Sequence, residues 1–199
     1  IFQRLPDGTL PIQVAVITDL DIEQVNPSAG LIKSKKRITT GKVPDAQEEA
    51  EKLKAEYDSP DGRVKVFHST LWTMEYDIAL GELGKLINYA TYIAQLVKSR
   101  STHQNFKGVN EKEAKNRIRK ANEIYAKWEA IPLGQSEIAF KIYKRFKDNK
   151  ASKAVTAQWL ARILLRYKSR VLPILKRDAQ LKYIVDAIYH VTKPENGDN

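Results

Sequence analysis

Cysteine is absent from the chain, methionine occurs once, at Met74, and histidine three times, at His68, His103 and His190. Without thiols there is neither a disulfide framework nor a thiolate zinc site, and three scattered imidazoles leave little for zinc chemistry. No apolar run approaches the roughly 20 residues that cross a bilayer, and the first residues lack the basic-then-apolar layout of a signal peptide. The sequence therefore reads as a soluble, cytoplasmic protein without a membrane partner. It shows no repeat period and no long low-complexity run. It opens Ile1-Phe2-Gln3 rather than on an initiator methionine, so it is expected to be a piece of a longer protein.

What the chain does have is charge, unevenly spread. Its 199 residues include 34 Lys+Arg and 24 Asp+Glu, for a net charge of +10. Through Glu82 there are 10 basic and 14 acidic side chains, and the remainder carries 24 and 10. An acidic first part joined to a strongly basic second part suits a metal-dependent nucleic-acid enzyme, with carboxylates for cations and a basic surface for phosphates. A solvated basic helical face has the same composition.

Residues 11–18 are apolar on both faces and stop at Asp19-Leu20-Asp21, which predicts a buried, parallel-type strand. From about 25 to 43 the chain shows no period, and Asn26-Pro27-Ser28-Ala29-Gly30 and Thr39-Thr40-Gly41 predict a mobile loop. Asp45 stands three residues before Glu48 in a capping-box-like arrangement, and a polar helix, Glu48 to Tyr57, follows and is ended by Ser59-Pro60-Asp61-Gly62. Residues 63–69 alternate strictly, with Val64, Val66 and His68 on one face, and predict a second strand. Thereafter the spacing predicts helices over 73–80, 84–98, 111–128, 136–148, 152–167 and 178–191, with a turn at Val171-Leu172-Pro173 among others. The fold class expected is α/β, with a core over residues 1–82 and an all-α, basic region over 83–199. The aromatic residues of that region fall at helical spacing among leucines and isoleucines, as in a helical core.

Three places carry candidate chemistry. Asp19 and Asp21 follow the first strand, and two acids two residues apart on an extended segment face one side, where both can meet one cation. Acids at strand ends also serve simply as turn formers. Glu75 and Asp77 lie at the start of a helix that follows the second strand, aimed at the same crevice, and hard cations such as Mg²⁺ and Mn²⁺ take oxygen ligands of this kind. Both acids would equally complement the positive pole of that helix. Lys153 falls in the first turn of a helix capped by Ser152, where a cation is disfavoured by about 0.3–1 kcal/mol, so it either steadies a phosphate or is a badly placed surface lysine.

Taken in order, Val14-Ala15-Val16-Ile17-Thr18-Asp19-Leu20-Asp21, Val66-Phe67-His68-Ser69 leading to Thr73-Met74-Glu75-Tyr76-Asp77-Ile78-Ala79, and Lys153 with Ala157-Gln158-Trp159-Leu160-Ala161 resemble the Toprim nuclease region of OLD-family (overcoming lysogenization defect) endonucleases. Lys182-Tyr183-Ile184-Val185-Asp186-Ala187-Ile188 is similar to that family's closing helix, and the Gabija nuclease subunit is a relative of the same architecture. The resemblance spans residues 12 to 191. It implies a partial, Rossmann-like Toprim core with a mostly parallel sheet, followed by helices. It implies Asp19 and Asp21 as the Asp-x-Asp metal ligands, Glu75 as the acid of the Thr-x-Glu-Tyr-Asp-x-Ala stretch, Lys153 as the catalytic lysine, and Asp77 and Ser69 as weaker carry-overs, Asp77 as a further metal ligand.

The activity implied is endonucleolytic cleavage of DNA with two divalent cations, Mg²⁺ or Mn²⁺, in a homodimer with a role in phage defence or DNA processing. ATP would enter only through an upstream ATPase domain, since no Gly-x-x-x-x-Gly-Lys-Ser/Thr occurs here. The family's Glu-Gly-x-x-Glu motif, expected before the first strand, is also missing, so the isolated piece is expected to bind metal poorly and to cut slowly or not at all. The competing expectation is a non-catalytic module on a degenerate Toprim core that holds nucleic acid or a partner. A phosphatase using Asp19 as nucleophile lacks support from Glu75 and Lys153.

Overall fold

The computed structural model describes residues 12–26, 31–33, 45–70, 72–101, 108–131 and 133–192. Strand β1, Val14–Thr18, pairs in parallel with β4, Val64–His68, in the register Val14 to Val64 and Thr18 to His68. Between them lie a short antiparallel hairpin, β2 (Glu23–Asn26) and β3 (Leu31–Lys33), and helix α1, Ala46–Tyr57. The hairpin corrects the expected loop at its described ends. Strands of four and three residues are too short to display an alternation, so only the turn residues between them spoke in the sequence. Residues 27–30 and 34–43 of that expectation lie outside the described residues.

Helix α1 starts as its sequence indicates, with the Asp45 carboxylate accepting from Gln47 N at 2.9 Å. Its Ala46, Ala50 and Leu53 pack on Leu20 and Ile22, the apolar residues that follow β1. The remaining elements are helical: α2 (Met74–Leu80), α3 (Gly84–Arg100), α4 (Glu111–Ala130), α5 (Gln135–Lys147), α6 (Lys153–Arg166), α7 (Lys168–Arg177) and α8 (Lys182–Thr192), the last preceded by a 3-10 turn, Ala179–Leu181. Helix α3 is the hub, packed by α2, α4, α5 and α6. Trp72, Tyr76, Ile87, Tyr125, Ile142, Tyr143 and Leu160 meet in the main core. The chain is thus α/β with helices predominating and a small parallel sheet at one side.

Helix α7 replaces the turn expected at Val171-Leu172-Pro173. Pro173 removes one intrahelical donor, but Val171 is buried with Leu83 and Leu181, and that tertiary packing outweighs the local preference of proline. Helix α8 lies against both β1 and β4, and the His190 ring meets Arg63 O at 3.0 Å. The packing therefore runs across the division expected near residue 82. Asp178, buried between α7 and the 3-10 turn, accepts from Glu82 N at 2.8 Å and from Gln180 N at 2.9 Å, which ties the end of α2 to the closing helix. A Cβ at Gly81 would collide with that carboxylate, so glycine is needed there for close approach.

Candidate active site

The two parallel strands end side by side, and the loops that leave them are laced together. Ser69 N donates to Thr18 O (3.0 Å), Leu20 N to the Ser69 hydroxyl (2.8 Å), that hydroxyl to Trp72 O (3.0 Å), and Asp21 N to the same carbonyl (3.0 Å). Ser69 is fully buried, so each of these bonds replaces a lost contact with water. The lacing delivers Asp19 to the N-terminus of α2, where its Oδ1 accepts from Met74 N at 2.9 Å and Oδ2 has no partner among the described residues. Thr73 caps the same helix, its hydroxyl accepting from Tyr76 N.

Asp21 is exposed and its φ is 57°, in the left-handed region. The strand has already ended at Thr18, so the same-side geometry expected from alternation does not apply. The turn instead follows from the Asp21 N to Trp72 O bond, and aspartate is among the few non-glycine residues that tolerate this backbone.

Glu75 and Lys153 come from helices 78 residues apart and meet at 2.7 Å. Lys153 lies in the first turn of α6, after Ser152, whose hydroxyl caps Val155 N, and its ammonium is 5.8 Å from the centre of the Tyr143 ring. The reason sought for a lysine at a helix's positive pole is thus a carboxylate across the cleft. Burial disfavours the ammonium, but the Glu75 hydrogen bond and charge, aided by Tyr143 and Asp19, outweigh it and raise the Lys153 pKa. Burial raises the pKa of Asp19; the Met74 hydrogen bond opposes this, Glu75 and Asp21 add to it by like charge, and Lys153 lowers it. These mutual effects place Asp19, Asp21, Glu75 and Lys153 in one electrostatic neighbourhood. Burial also raises the Tyr143 hydroxyl.

Asp77 stands behind this group. It is fully buried, and its two oxygens accept from Thr70 N and from the Thr70 hydroxyl, both at 2.7 Å. Burial pushes its carboxyl up to about 6, against the lowering effect of Thr70. The Tyr183 hydroxyl of α8 is buried beside it without a hydrogen bond of acceptable geometry, and burial together with the Asp77 charge raises it well above the usual phenol range. Thr70 carried no local signal in the sequence, and Tyr143 and Tyr183 read there only as aromatic residues of helices. Tertiary packing alone brings them here.

Asp19, Asp21 and Glu75 are oxygen donors of the type hard cations take. Among the described residues, however, no group of three or more Asp, Glu or His side chains is close enough to hold an ion, and Glu75 is engaged by Lys153. No helix among the described residues is long and apolar enough to cross a membrane. Comparison with family models, curated proteins and solved structures gives no significant match to the chain.

Proposed function

We propose that the chain is the nuclease part of a DNA endonuclease that hydrolyses phosphodiester bonds with Mg²⁺ or Mn²⁺, as its resemblance to the OLD-family Toprim region implies. The observation that supports this best is the meeting of Asp19, Glu75 and Lys153, from three distant parts of the chain, at the carboxyl end of a parallel strand. Asp19 and Asp21 would hold the cation, with Glu75 joining them when it parts from Lys153. Bound divalent cations supply the activation of water and the stabilisation of the leaving oxygen. The chain's own part is to orient and to compensate charge. Met74 N fixes the Asp19 carboxylate, and Lys153, held charged by Glu75, would exchange the Glu75 carboxylate for a substrate phosphate. Changing Lys153 to alanine should slow plasmid cleavage far more than it weakens DNA binding. Equal losses in the two assays would reduce Lys153 to a phosphate contact.

A non-catalytic nucleic-acid-binding module is the second reading, favoured by the neutralisation of Glu75 by Lys153. Cleavage that needs a divalent metal separates the two. DNA affinity that falls with salt does not.

A further inference from the structure

Beside Lys153 the helices α3, α5 and α6 flank an open cleft of about 660 Å³. Its floor is apolar and aromatic, formed by Trp72, Tyr143 and Phe146, and its walls carry Lys98, Lys147 and Lys153. Among the described residues no carboxylate lines it; from outside the lining Glu75 holds Lys153 at 2.7 Å, and Lys98 donates to Asn149. Two other cavities lack this one-sided charge. One of about 550 Å³ beside His68 sets Lys54, Lys65 and Lys182 against Asp58 and Asp186. One of about 400 Å³ between α4 and α6 sets its cations against Glu111, which pairs with both Lys115 and Arg166.

We infer that the α3–α5–α6 cleft binds one or two nucleotides of single-stranded nucleic acid next to the phosphate that Lys153 contacts. A groove with cations on its walls and aromatic residues on its floor is how proteins hold an unpaired strand, phosphates to the lysines and bases to the apolar surface. The volume falls in the range of small-ligand sites, far below the bulk of a duplex. The location beside Lys153 acquires its catalytic meaning from the nuclease reading. The binding itself does not depend on that reading.

The test is fluorescence anisotropy of fluorescein-labelled dT6 with the 199-residue protein in EDTA, where cleavage plays no part. Lys147→Glu should weaken binding at least about fivefold and lower the slope of log Kd against log salt by about 0.7 for the lost phosphate contact. Ser101→Trp, which fills the cleft without changing charge, should weaken binding about tenfold. A matched charge reversal on the solvent side of α4, Lys120→Glu, should change it less than about twofold. Circular dichroism confirms the fold of each variant, and unlabelled single strand should displace the probe better than duplex. Equal losses from both faces, an unaffected Ser101→Trp variant, or a duplex or polyglutamate that displaces the probe as well as single strand does, would overturn the inference. Cleft binding in a protein that, with any segment preceding Ile1 in place, shows no metal-dependent cleavage would leave the inference standing and remove the nuclease reading, and cleavage without cleft binding would do the reverse.

Discussion

Along α3, Ile87, Ala90, Ile93 and Ala94 are closed to solvent, whereas every residue of β1 retains some exposure and Ile17 keeps 43 %. The helical assembly is held by shape-matched apolar side chains, and the end of the sheet by directional bonds from Ser69, Thr70 and Asp19. The contrast bears on function. Apolar burial fixes a side chain only by excluding alternatives, but a hydrogen bond to Met74 N fixes the direction of a carboxylate. Candidate chemistry is concentrated where the two regimes meet, with the acids on the sheet side and Lys153 on the helical side.

The comparison breaks most visibly through the core. Ile87→Ala should cost about 2–5 kcal/mol in unfolding free energy, and Ile17→Ala less than about 1, measured by urea denaturation. Equal costs would mean that the sheet is packed as tightly as the helices. Next in size, Lys153→Ala should lower the cleavage rate by about 10²-fold, or roughly 2.7 kcal/mol. It should change stability by less than about 1 kcal/mol, because its pair with Glu75 is partly exposed.

Asp77 sharpens the contrast through pH. Its folded pKa is raised, so the stability linked to its proton is fully present below about pH 4 and lost as pH rises through about 6. Asp77→Asn keeps an acceptor for Thr70 N and removes the ionisation. Between pH 4 and 7.5 the native protein should lose on the order of 2–3 kcal/mol relative to this variant, and parallel pH profiles would refute the assignment. The smallest effect belongs to Ser69→Ala, which strips partners from Leu20 N and Trp72 O and should cost about 1–2 kcal/mol.

Much of this architecture was legible. The helical spacing placed α3 through α6 within a few residues, and Ser152 marked the start of α6 because a hydroxyl cap is a local device. Helix α7 was not legible, since Pro173 signals a break locally and only the burial of Val171 overrides it. At the site, the positions of Asp19, Asp21, Glu75 and Lys153 stood out by residue type. The 2.7 Å contact between Glu75 and Lys153 and the left-handed turn at Asp21 depend on partners far away in sequence, so no local pattern encodes them. The burial of Asp77 against Thr70 belongs to the same class.

The most direct test of the account is nicking of supercoiled plasmid with Mg²⁺ or Mn²⁺, by the protein with any segment that precedes Ile1 in place, beside its Asp21→Asn variant. The account predicts nicking that disappears with chelator and in the variant. A folded protein that leaves the plasmid intact under both metals, or an Asp21→Asn variant that nicks as fast as the native protein, would contradict it.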